Sequence, residues 1–131
     1  MILADTSIWI DHLRSGNRSG NKEMQKHLND GNIVIHPFVI AELALGLVTG
    51  RTLRQRAKIL ALLDLLPQVR VAQVSELRLT IEARRLYSQG IGLVDASLIA
   101  SVFINPPTLL WTRDKPLRRV AEGLGIHAGL A

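Results

Sequence analysis

Apolar residues recur along this chain in two rhythms. Short apolar runs in "MILA", "NIVIHP", "VRVAQV", "TLLWT" and "IHAGLA" have the length of strands and stop at polar or turn residues. Longer stretches between them have helical spacing. "TSIWIDHL" predicts a short helix capped by Thr6 or Ser7, and "KEMQKHLND" predicts a second, closed by Gly31. "FVIAELALGLVTG" reads as a helix that stops at Gly50, after the polar loop "RSGNRSGN" and the strand ended by Pro37. "RTLRQRAKILALLDLL" reads as amphipathic, with Leu53, Ala57, Leu60 and Ala61 on one face. A helix beginning at Ser75 runs to Gly90, "GLVDASLIASVFI" is a buried helix with Asp95 near its start, and "KPLRRVAEGLG" is the last helix. Strands separated by helices predict parallel pairing and a sheet covered on both faces. The fold class is α/β: one three-layer α/β/α domain over residues 1–131, with a central, mainly parallel sheet.

Composition fits that picture. The chain of 131 residues is 47% hydrophobic, enough for one well-filled core. No apolar run approaches the roughly 18 residues of a membrane span, and the N-terminus lacks the basic start and long apolar stretch of a signal peptide. The absence of cysteine rules out a disulfide framework and a thiolate zinc site. These features predict a cytoplasmic protein without a membrane partner.

Charge adds a candidate partner. Sixteen Lys and Arg against eleven Asp and Glu leave a net charge of +5. The basic residues cluster in "RTLRQRAK", at Arg84 and Arg85, and in "TRDKPLRR". Such a surface favours polyanions, because neutralising phosphates releases counterions, although solvated helix faces account for the same clusters.

Four acids stand where chemistry collects. In an open parallel sheet, ligands bind outside the carboxyl ends of the strands. Asp5 follows "MILA", Asp114 follows "TLLW" by a few residues, Asp95 opens a helix after Gly92, and Glu42 interrupts the apolar neighbours Val39, Ile40, Leu43 and Leu45. Each has a structural reading: Asp5 as a helix cap, Glu42 as the partner of an arginine, Asp95 as a first-turn acid, Asp114 as a turn former. If the fold unites them, several carboxylates repel one another unless a cation intervenes. All-oxygen ligands favour Mg²⁺ or Mn²⁺ over zinc, and an acidic pit inside a basic surface suits phosphodiester hydrolysis.

The segments "ADTSIWIDHL", "IHPFVIAEL", "GLVDASLIA" and "LLWTRDKPL", in that order, resemble the PIN-domain family, specifically the VapC-type toxin ribonucleases of bacterial toxin–antitoxin pairs. The resemblance implies a metal-dependent endoribonuclease that leaves a 5′ phosphate and a 3′ hydroxyl. It implies Mg²⁺ or Mn²⁺ on Asp5 and Asp95, with Asp114 a further ligand and Glu42 a fourth catalytic acid. Thr112 matches a hydroxyl that orients a carboxylate or water, and Thr6 is a supporting hydroxyl beside Asp5. The partners implied are an RNA substrate, a cognate VapB-like antitoxin and a second copy in a homodimer.

Arg113 and Lys115 flank Asp114 and are the candidates for RNA phosphate contact. Asp11 and His12 fit a solvated helix face, His36 fits a structural role at a strand end, and Trp9 and Trp111 fit the core. Two rival classes share these residues: a non-catalytic RNA- or protein-binding PIN-like module, and another Mg²⁺-dependent phosphohydrolase. "ADTSIW" lacks the second aspartate of a haloacid-dehalogenase-type start, and no glycine-rich phosphate loop is present.

Overall fold

The computed structural model describes residues 1–15, 22–47 and 53–131. The predicted stop at Gly50, Arg51 and most of the "RSGNRSGN" loop lie outside the described residues. Three short strands, β1 (Ile2–Ala4), β2 (Ile33–Val34) and β3 (Leu109–Trp111), form a parallel sheet in the order β2-β1-β3. Ile2 pairs with Ile33 on one side and Leu109 on the other. Single parallel bridges, Ile35 to Gln68 and Leu110 to His127, extend the two edges. The strand predicted in "IHAGLA" is therefore reduced to one bridge at His127, and "VRVAQV" forms no strand: the bridge falls on Gln68 just before it, and Val74 already opens the next helix.

Consecutive residues of a strand face opposite sides of a sheet. Leu3 and Ala4, Ile33 and Val34, and Leu110 and Trp111 are all buried, so both faces are covered. The covering elements are α1 (Thr6–Ser15), α2 (Lys22–Asn29), α3 (Pro37–Glu42), α4 (Leu53–Asp64), α5 (Val74–Ala83), α6 (Leu93–Ile104) and α7 (Lys115–Gly123). A π-helical segment, Leu43–Leu47, continues α3. Helix α6 is buried on every side from Ala96 to Val102, as its apolar composition predicts. Among the described residues no helix is long and apolar enough to cross a membrane.

Local chemistry explains several helix ends. Helix α1 is capped by Asp5, not by Thr6 or Ser7: the Ile8 N–H donates to Asp5 Oδ1 at 3.2 Å. Gly31, at φ +71°, closes α2 as predicted, with the Asn32 N–H reaching back to the His27 carbonyl at 2.9 Å. Helix α5 ends at Ala83 rather than at Gly90. Its closing turn places Arg85 at φ +52° and brings the Leu86 N–H to the Ile81 carbonyl at 3.0 Å. This is the turn that glycine usually supplies, made here without one.

Helix α4 buries a different face from the one predicted. Leu53 is 83% exposed and Ala57 and Ala61 are exposed, whereas Leu63 is buried and Ile59, Leu60 and Leu66 pack against the core. Apolar residues occur on more than one side of this helix; it packs against α3, and Ile59, Leu63 and Leu66 face Trp9, Leu13 and Leu28 across a shared cavity.

Candidate active site

The crevice lies where strand order changes. From β1 the chain goes to β2 on one side and, much later, to β3 on the other, so the carboxyl end of β1 sits at the switch point. Asp5 is the first residue after β1, and its backbone N–H donates to the Trp111 carbonyl at the end of β3, at 3.0 Å. Thr112 is the first residue after β3. Sheet pairing itself thus sets Asp5 beside Thr112.

Asp5 is buried and fully engaged. Ser7 Oγ donates to Oδ1 at 2.5 Å, beside the Ile8 N–H, and Thr112 Oγ1 donates to Oδ2. Burial raises the Asp5 pKa, and the hydrogen bonds from Ser7, Thr112 and Ile8 work against that rise. The two hydroxyls also hold the segment that follows β3. Ser7 Oγ accepts the Arg113 N–H at 3.0 Å, and Thr112 Oγ1 accepts the Asp114 N–H at 3.0 Å.

The other three acids arrive from separate elements. Asp114 caps α7, accepting the Leu117 N–H at 3.1 Å. Asp95 lies in the first turn of α6, where a hydrogen bond from the Gly92 backbone reaches its carboxylate. Glu42 ends α3 and accepts the Thr6 hydroxyl at 2.6 Å. Glu42 is exposed, and Leu45 beside it is 84% exposed, so Glu42 does not interrupt a buried surface as its apolar neighbours suggest. Three of the four acids do serve helix N-termini, where the partial positive charge of the backbone favours them. The structural readings of Asp5 and Asp95 are thus realised together with their convergence, whereas Asp114, expected as a turn former, caps a helix instead.

That convergence is electrostatic. Burial pushes the Asp95 carboxyl up to about 6, and repulsion from Asp114, Asp5 and Glu42 pushes in the same direction against the Gly92 hydrogen bond. Among the described residues no ion pair neutralises any of the four. The arginine partner considered for Glu42 is therefore not found there. As placed, no three His, Asp or Glu side chains among the described residues form a metal-holding group.

The remaining candidates separate clearly. Arg113 is ion-paired with Asp11, and its Nε donates to the Ala131 carbonyl at 3.1 Å. Asp11, read as a solvated acid, is the counter-charge of a predicted phosphate ligand. Lys115 is exposed at the start of α7. His36 is fully buried: its Nδ1 accepts the Phe38 N–H at 3.0 Å to cap α3, and its Nε2 meets Ser101 Oγ at 3.1 Å. It is structural, and burial lowers its pKa to about 4. Trp9 and Trp111 are core residues. Gly92 has no signal in the sequence for this role, because a backbone donor has no side-chain signature.

The PIN domain family model matches residues 2–123. Two curated relatives named Ribonuclease VapC32, from Mycobacterium tuberculosis strains CDC 1551 / Oshkosh and ATCC 25618 / H37Rv, are each 40% identical over 126 residues, covering 96% of this chain and 94% of theirs. A parallel sheet with acids gathered at its switch point, a family match over nearly every residue and relatives matched over most of their length agree: this chain belongs to the PIN-domain family.

Proposed function

We propose that this chain is an endoribonuclease that uses Mg²⁺ or Mn²⁺ to hydrolyse phosphodiester bonds in RNA, as the toxin of a toxin–antitoxin pair. One observation carries the reading: four acids from four segments of a PIN-family chain share one electrostatic neighbourhood, and no basic side chain among the described residues pairs with them. The relatives' name, Ribonuclease VapC32, supports RNA as the substrate.

The donor set is all oxygen, which suits a hard cation. Asp5 and Asp95 would hold the ion, with Asp114 a further ligand. Mg²⁺ is commonly bound through one or two carboxylates, with water and substrate phosphate completing its shell, so a ready-made cluster of three is not required. When bound, the ion supplies a water of lowered pKa and neutralises charge growing on phosphorus.

This chain's own residues do the positioning. Ser7, Thr112 and the Ile8 N–H fix both oxygens of Asp5, so that carboxylate loses little further freedom on binding. Thr6 fixes Oε1 of Glu42 and leaves Oε2 to orient a water. Asp95, disfavoured as an anion by burial and by three other acids, becomes favourable beside a cation. Lys115 meets the RNA backbone from the rim. The same pit suits a basic side chain of an antitoxin, and the active form is a homodimer.

Incubation of RNA with the purified protein tests the reaction. Cleavage is expected with Mg²⁺ or Mn²⁺ and is lost with EDTA and in Asp95→Asn. Cleavage surviving both treatments overturns the proposal. Growth arrest on expression, relieved by co-expression of the adjacent gene, tests the toxin role.

A further inference from the structure

A second concavity adjoins the acids. It is an open hollow of about 240 Å³, with Leu86 and Ala96 as its buried floor, Ile81 and Ile91 as walls, and Tyr87 and Leu93 at an exposed rim. That volume lies below the roughly 300–1,000 Å³ of drug-sized sites and is on the scale of one flat ring system. Tyr87, 56% exposed, is the one aromatic residue of its lining.

Two contacts tie this pocket to the acidic pit. Gly92, part of the lining, is hydrogen-bonded through its backbone to the Asp95 carboxylate. Gly90, in the same loop, lies against the start of α7, where an added Cβ would stand 3.7 Å from Pro116 Cβ, two residues beyond Asp114. The turn leading into the pocket carries the exposed Arg84 and Arg85, which match a polyanion. An apolar, aromatic-rimmed slot between basic residues and a phosphate-cutting pit has the chemistry of a single-stranded RNA site, where bases stack on aromatic faces while cations follow the backbone.

We propose that this pocket takes one unstacked nucleobase of the RNA, next to the scissile phosphate, with Tyr87 as its stacking face. The inference rests on the ribonuclease reading and deepens it: the pocket selects where the strand is cut. Tyr87 binds substrate and takes no part in the bond-breaking step.

The test uses a short RNA whose cut site has been mapped with the unsubstituted protein. Tyr87→Ala raises KM about 5- to 150-fold, the range of one lost stacking contact, with kcat nearly unchanged, and Tyr87→Phe behaves like the parent. An abasic nucleotide at the position next to the cut produces the same KM rise in the parent and none in Tyr87→Ala. Equal KM values for parent and Tyr87→Ala, or penalties that simply add, overturn the pocket assignment and leave the ribonuclease intact. A Tyr87→Ala protein that changes oligomeric state also overturns it, because the rim is then a subunit contact. Failure of the parent to cut any RNA sinks the underlying reading instead.

Discussion

The hydroxyl of Thr112 donates to Asp5, 107 positions away in sequence, and accepts the backbone N–H of Asp114. One buried side chain therefore couples the acid at the end of β1 to the acid that caps α7. Moving the Asp5 carboxylate or the Asp114 backbone strains a bond to the same oxygen. The hydroxyl's value lies in doing both tasks, since a fully buried threonine offers no other access to solvent.

Thr112→Val keeps the shape and removes the bridge. Asp5 Oδ2 and the Asp114 N–H then lose their shared partner in a largely dry setting. Stability is expected to fall by about 1–3 kcal/mol in urea unfolding, with a fall in RNA cleavage, whereas Thr112→Ser retains both. Equal stability of the valine and serine variants would show that the bridge does not hold the site.

Asp5→Asn is expected to separate folding from activity. Asparagine caps helices as well as aspartate, and it carries no charge to desolvate at a site where burial raises the pKa. Thermal stability should stay within about 1 kcal/mol of the parent or rise, while cleavage falls by more than the roughly 10- to 100-fold that loss of an outer-shell partner costs a metal site. A variant that melts early and still cuts RNA would reverse the assignment.

Two displaced pKa values bend stability in opposite directions with pH. His36 is lowered from 6.5 to about 4, so between those values the unfolded chain binds more protons and His36's contribution to stability rises with pH. Asp95 is raised from 3.8 to about 6, so the folded chain binds more protons across that interval and its contribution falls as pH rises. Relative to the parent, Asp95→Asn should gain stability from pH 4 to 6, and His36→Asn should lose stability from pH 4 to 6.5. Urea midpoints measured across this range decide; curves parallel to the parent's would refute both.

Asp11 restrains Arg113, and this predicts an effect on RNA binding. Binding to the inactive Asp95→Asn protein, followed as a function of salt, should become less salt-dependent by about one unit of slope when Lys115 is replaced by alanine. Asp11→Asn, which removes the counter-charge of Arg113, should steepen the slope and tighten binding. An unchanged slope in Asp11→Asn would mean that Arg113 does not reach the RNA.

The sequence by itself determined the elements whose signals are local and the acids whose positions follow from them. Gly31 ends α2, Pro37 opens α3, and "MILA" and "TLLW" each end just before a polar residue that the parallel sheet carries to its carboxyl edge. Only the tertiary structure decided what depends on distant partners: which side of α4 is covered, that Arg85 closes α5 in a conformation usually left to glycine, and that Asp11 neutralises Arg113. It also decided that Asp5, Thr112 and Asp114 share one hydrogen-bonded chain and that Asp95 feels three other acids. Periodicity and caps are written within a turn or two of chain, whereas burial and charge coupling arise from residues that only folding makes neighbours.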